Sequence, residues 1–128
     1  MFDATTNRDG NLIIIHFSGS VDRDQSSQCY ELVRSLIGQL KSGFTVITDL
    51  GRLEYMEFEC AEDVGKIMDL CNEAGVKHVC RVIPNSEVDI GWNILTRFHY
   101  DEDHVSIETF PTFYQAMKTL IEAEKTIA

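Results

Sequence analysis

Basic residues are short in this 128-residue chain: 11 Lys and Arg stand against 21 Asp and Glu, a formal net charge of −10. A nucleic-acid binder needs Lys and Arg to neutralise phosphates, so that class is excluded, and anionic membrane surfaces are disfavoured on the same grounds. Long apolar runs are missing too; none approaches the roughly 20 residues that a membrane span requires. The first residues, MFDATTNRDG, have no basic stretch leading into an apolar one, so no secretory signal is expected. Cys29, Cys60, Cys71 and Cys80 show no CxxC spacing and sit among apolar neighbours. They read as buried reduced thiols in a cytoplasmic protein, not as a disulfide framework. A Gly-rich phosphate loop, a Ser/His/Asp arrangement, a zinc signature, internal repeats and low-complexity segments are all absent. Neither enzyme activity nor a cofactor is expected.

What is present is an ordinary globular composition, 44% hydrophobic and 25% charged. A chain of this length makes one domain and buries about two-thirds of its unfolded surface. The continuous apolar run at 12–17, LIIIHF, predicts a strand covered on both faces, with Asp9-Gly10 turning back to a hairpin partner at 2–7. Cys29, Leu32, Val33, Leu36, Ile37 and Leu40 recur at helical spacing, with Ser26 or Ser27 near the start and Gly43 beyond the end. A short strand at 44–49 follows, then a helix marked by Ala61, Val64, Ile67, Met68 and Cys71 and stopped near Gly75. A strand at 79–83 closed by Pro84-Asn85, a helix from Ser86 to His99 and a strand at 104–108 come next. The final helix has Phe113, Ala116, Met117, Leu120 and Ile121 along its inner face. The order predicts one α/β domain with a mixed, mostly parallel sheet of four to five strands and about four helices.

The densest chemistry lies in 49–75, DLGRLEYMEFECAEDVGKIMDLCNEAG, where seven acids from Glu54 to Glu73 face a single lysine, Lys66. Glu57, Glu59, Glu62 and Asp63 crowd the expected helix start, where unpaired backbone N–H groups already favour negative charge. Glu62 and Asp63 fit the plain role of first-turn helix acids. Glu57 and Glu59 are less easily assigned to it, because the apolar Phe58 between them is expected to pin the loop.

The chain resembles a STAS domain, the family that includes bacterial anti-sigma-factor antagonists, over about 11–120. The resemblance rests on Ser18-Gly19-Ser20-Val21-Asp22, on Asp49-Leu50 with Leu53 and Tyr55-Met56, on the helix reaching Gly75, and on the strand before Pro84 with Val88 opening the next helix. It implies a regulatory module that binds a protein partner, a kinase-like anti-sigma factor or a larger signalling assembly, with a homodimer left open. In the family, a serine or threonine at the helix start is phosphorylated within a motif that reads roughly Asp-Ser-Ser/Thr-Gly. Here that stretch is Glu57-Phe58-Glu59-Cys60, with Glu59 in the hydroxyl's place. A phosphate there would add about −1.5 to −2 charge, whereas a glutamate supplies a fixed charge that no kinase can cycle. The expected partner-binding set is therefore Glu57, Phe58, Glu59, Cys60, Glu62 and Asp63, with no phosphorylation at the family position. Ser18, Ser20 and Thr48 are weaker candidates for a switch, since none lies at the helix start.

Other constellations carry less. HYDEDH at 99–104 offers metal-type side chains but matches no ligand motif and reads as a charged turn. His16, inside an apolar strand, reads as a satisfied core histidine. Four carboxylates near Cys60 argue against a reactive thiolate. Val88, Ile90, Trp92, Ile94, Leu95 and Phe98 form an apolar stretch wider than one core-facing stripe needs. The alternative function is thus a small apolar ligand or lipid carrier of the SEC14-like type, using a patch at Trp92, Leu95 and Phe98.

Overall fold

The apolar run after the Asp9-Gly10 turn forms an antiparallel hairpin, β1 (Phe2–Asn7) with β2 (Leu12–Val21). Asn11 closes it in the left-handed conformation, φ 51°. β3 (Thr45–Met56), β4 (His78–Val82) and β5 (Ser106–Phe110) then add in parallel, so the sheet order β1-β2-β3-β4-β5 is the order of the chain. α1 (Arg23–Ile37), α2 (Cys60–Glu73) and α3 (Ser86–His99) are the crossovers, and α4 (Phe113–Ile127) follows β5. The computed structural model describes residues 1–84 and 86–127, with side chains described outside 86–90 and 124–127. Every crossover advances the sheet in one direction, so crossovers of one hand place their helices on one face. α1 packs on α2 and α2 on α3 accordingly.

Two cores result. Ile13, Ile15, Phe17, Val46, Leu50 and Val79 point towards α1–α3 and meet Cys29, Val33, Val64, Met68 and Trp92. On the other face Ile47, Cys80 and Val82 meet Ala116, with Ile14, Phe113, Met117 and Leu120 packed around them. The expected two-sided burial of β2 follows from this alternation.

Several boundaries differ from the sequence expectation. α1 begins at Arg23, with Asp22 accepting from the Gln25 N–H as N-cap, and ends at Gly38 as C-cap, not at Gly43. Its first turn is polar, so the apolar stripe starting at Cys29 sees only part of it. β3 runs to Met56, seven residues past the expected end at Asp49. Beyond Val82 it has no β4 neighbour, so 50–56 pair on one side only and lose apolar alternation. β5 starts at Ser106, because 101–104 form a turn. Ile121, expected on the inner face of α4, is 49% exposed. Asn85 and the side chains of Val88 and Ile90 lie outside the described residues.

Candidate functional site

The acidic segment is a tight turn between β3 and α2. The Glu57 N–H donates to the Val21 carbonyl at 3.1 Å, fastening the turn to the end of β2. Cys60 and Ala61 N–H groups then donate back to Glu57 and Phe58 at 3.0 Å each, which rolls the chain into α2. Glu59 is the N-cap residue but is itself helical (φ −61°, ψ −21°), so its side chain makes no capping bond. Phe58, expected to pin the turn, does not: it is 87% exposed. Glu57 is half-buried and Glu59 exposed, and neither has a cationic partner among the described residues.

The other three residues of the expected set have different surroundings. Asp63 is 3% exposed and serves the fold, contrary to a surface role. Its Oδ2 accepts from Ser26 Oγ at 2.6 Å and from Arg23 Nε at 3.1 Å, tying α2 to the first turn of α1. Glu62 is exposed and shared by Arg23 at 3.2 Å and Lys66 at 3.7 Å. Arg23 thus neutralises two acids at once, a role its place before the apolar stripe of α1 gave no sign of. Cys60 is fully buried, its Sγ 3.6 Å from the Val21 carbonyl, so it presents nothing to a partner.

Burial pushes the thiols of Cys29, Cys71 and Cys80 up to about 12, and burial with the nearby carboxylates of Glu57, Asp63 and Asp22 raises Cys60. Near neutral pH all four are thiols, and the thiolate is the nucleophile. Native protein is therefore expected to release essentially no thionitrobenzoate from Ellman's reagent at pH 7.5, with about four equivalents appearing once it is unfolded in guanidinium. A rapid native equivalent would contradict this burial.

The apolar patch on α3 divides. Trp92 is buried against Phe17, ring centroids 6.1 Å apart, and Leu95 packs on the same core. Phe98 and Ile94 face outwards, Phe98 being 84% exposed. The three patch residues thus do not line one groove. The cavity that Trp92 borders, with Arg81, Thr96 and Tyr100, encloses about 20 Å³, room for a single water. Arg81 is buried there and donates to Thr109 Oγ1 at 2.6 Å and Thr96 Oγ1 at 3.4 Å. In the 99–104 segment His99 binds Asp69 and His104 binds Asp101, each at 2.7 Å. His16 Nδ1 is held by Asp49 at 2.8 Å, but the ring lies on the α4 side and is partly exposed, so it is not a core histidine.

Comparison with solved structures finds this architecture along nearly the whole chain. A DUF3478-family protein from Shewanella loihica PV-4, itself with a SpoIIAA-like fold, superposes at TM-score 0.67 and 15% identity over 94% of this chain and 92% of its own. The anti-sigma factor antagonist SpoIIAA in its unphosphorylated form gives 0.64 and 16%, over 94% and 97%. The Bacillus cell-fate determinant SpoIIAA in its phosphorylated form gives 0.60 and 17%, over 94% and 99%. This chain has the STAS fold. At such identities the STAS likeness concerns architecture, and the chemistry has to come from the residues themselves. No protein-family model and no curated protein matches the sequence. Among the described residues no helix is long and apolar enough to cross a membrane, and no group of three His, Cys, Asp or Glu could hold a metal ion.

Proposed function

We propose that this STAS-fold chain is a cytoplasmic, non-enzymatic regulatory module that docks a protein partner through Glu57, Phe58, Glu59 and Glu62. The observation that carries the reading is Phe58, 87% exposed between two carboxylates that have no cationic partner among the described residues. Tyr55, three residues earlier, is also exposed. An aromatic anchor ringed by charge is the composition of an interface hot spot, and it fits a basic partner surface with an apolar pocket. SpoIIAA is known in unphosphorylated and phosphorylated forms. Glu59 stands in the place of a phosphorylatable hydroxyl, so the docking surface here carries its charge permanently. The partner class this supports is an anti-sigma kinase or a signalling assembly. The carrier alternative draws less support, since the space beside Trp92 admits only a water.

Affinity capture from the native cell lysate, with partners and phosphosites read together by mass spectrometry, tests the proposal. The Glu57→Lys/Glu59→Lys double variant and Phe58→Ala are each expected to lower recovery of the wild-type partner about tenfold, with unchanged circular dichroism. Equal recovery by all three proteins would sink it.

A further inference from the structure

A larger cavity lies on the α4 side of the sheet, beside the middle of β2 and β3, the carboxyl end of β4 and the start of α4. It encloses about 620 Å³, within the range of about 300–1,000 Å³ typical of small-molecule sites.

A break in register sets its chemistry. β2 and β3 pair His16 with Asp49, yet the next pair is Ser18 with Arg52, three steps along β3 against two along β2. In an unbroken strand residues three apart point to opposite faces. The extra residue of this bulge brings Asp49 and Arg52 onto the wall of one cavity. Gly51 forms the bulge and donates its N–H to Asp49 Oδ1 at 2.9 Å; a Cβ there would stand 3.0 Å from that oxygen. Asp49 Oδ2 holds His16 Nδ1 at 2.8 Å, and the imidazole lies 5.4 Å from the Phe113 ring.

Both carboxylate oxygens of Asp49 are therefore occupied. His16 Nε2 and the Arg52 guanidinium have no hydrogen-bond or ion-pair partner among the described residues, although both residues line the cavity. Phe113 and Pro111 supply an apolar wall beside them. In a chain of net charge −10, an unpaired arginine in a cavity is a place where an anion is locally favoured. We propose that this cavity binds a small organic anion, its carboxylate or phosphate head on the Arg52 guanidinium and its apolar body against Phe113 and Pro111. The guanidinium fork matches either head group in a bidentate pair. The site uses none of residues 57–63, so it stands or falls independently of partner docking.

Titration of the full chain by ¹H–¹⁵N NMR with benzoate, phenyl phosphate, benzyl alcohol and inorganic phosphate tests this. Benzoate or phenyl phosphate is expected to shift the amides of 16–18, 49–52 and 112–113 saturably, and whichever of the two saturates assigns the head group. Benzyl alcohol, with the same ring and no charge, is expected to bind at least about tenfold more weakly, and so is the better anion to Arg52→Gln. Arg52 is exposed, so that variant keeps its fold, which the unshifted remainder of the spectrum reports. The proposal is overturned if neither ring anion saturates, if benzyl alcohol binds equally well, if Arg52→Gln binds like wild type, or if inorganic phosphate alone binds as tightly as phenyl phosphate.

Discussion

Asp63→Ala is expected to lower the unfolding free energy by about 2–3 kcal/mol, read from urea denaturation with an unchanged slope. Breaking a buried charge pair typically costs about 3–5 kcal/mol, because one partner is left uncompensated. The lower figure applies here because Arg23 is half-exposed and can return to water. Ser26 cannot: it is fully buried, and without Asp63 its hydroxyl keeps the Arg23 carbonyl at 3.1 Å and the Cys60 thiol but loses its charged acceptor. An opposing effect exists, since removing one acid from a chain of net charge −10 relieves repulsion around the start of α2. Exposed charge–charge effects are worth about 0.2–1 kcal/mol, too little to reverse the sign. A double-mutant cycle with Arg23→Ala separates the pair from the rest. A loss below about 0.5 kcal/mol for Asp63→Ala would mean that the carboxylate is a surface acid after all.

Gly75→Ala is expected to cost a similar amount, about 2–3 kcal/mol, or roughly 10 °C in Tm for a domain of this size. Two causes act together. Gly75 has φ 94°, where an L side chain is strained, and it follows the C-cap of α2 with its N–H on the Asn72 carbonyl. An added Cβ would also run into the Ser42 hydroxyl and lie 3.3 Å from the Ser42 Cα. Withdrawal is blocked by the Gly43 N–H, which binds the Gly75 carbonyl at 2.7 Å. Adding Ser42→Gly should recover the steric part and leave the dihedral part, about half of the loss. Full recovery would place the whole cost in the contact; a single-variant loss below about 0.5 kcal/mol would contradict both causes.

Sequence patterning located α1, α2, β2 and β4 because each buries apolar residues at its own period, whereas β1, which buries only Ala4, was given away by the Asp9-Gly10 turn. It failed where burial is achieved by polar groups or where pairing is one-sided. The first turn of α1 is held by Asp22 and by Ser26 against Asp63, which leave no hydrophobic trace. The outer half of β3 pairs only with β2, so Arg52, Glu54 and Tyr55 read as loop. The acidic turn was legible as charge, but its division was not. Glu57, Phe58 and Glu59 sit in the turn while Asp63 turns inward, and only the approach of Arg23 and Ser26, 40 and 37 residues away, decides that. His16 and Asp49 meet because of parallel register across 33 residues, which no local spacing encodes.

The spatial order of the strands is also the order in which a ribosome delivers them. Each strand finds its neighbour already made, so the sheet can thicken by accretion as the chain emerges. The helix that covers Ile47, Cys80 and Val82 is the exception, because it is made only after all five strands. Until α4 docks, a nearly finished sheet shows one greasy side to the surroundings. Conditions that delay that step, such as truncation within α4 or a stalled ribosome just short of it, should make the chain aggregate through its own sheet.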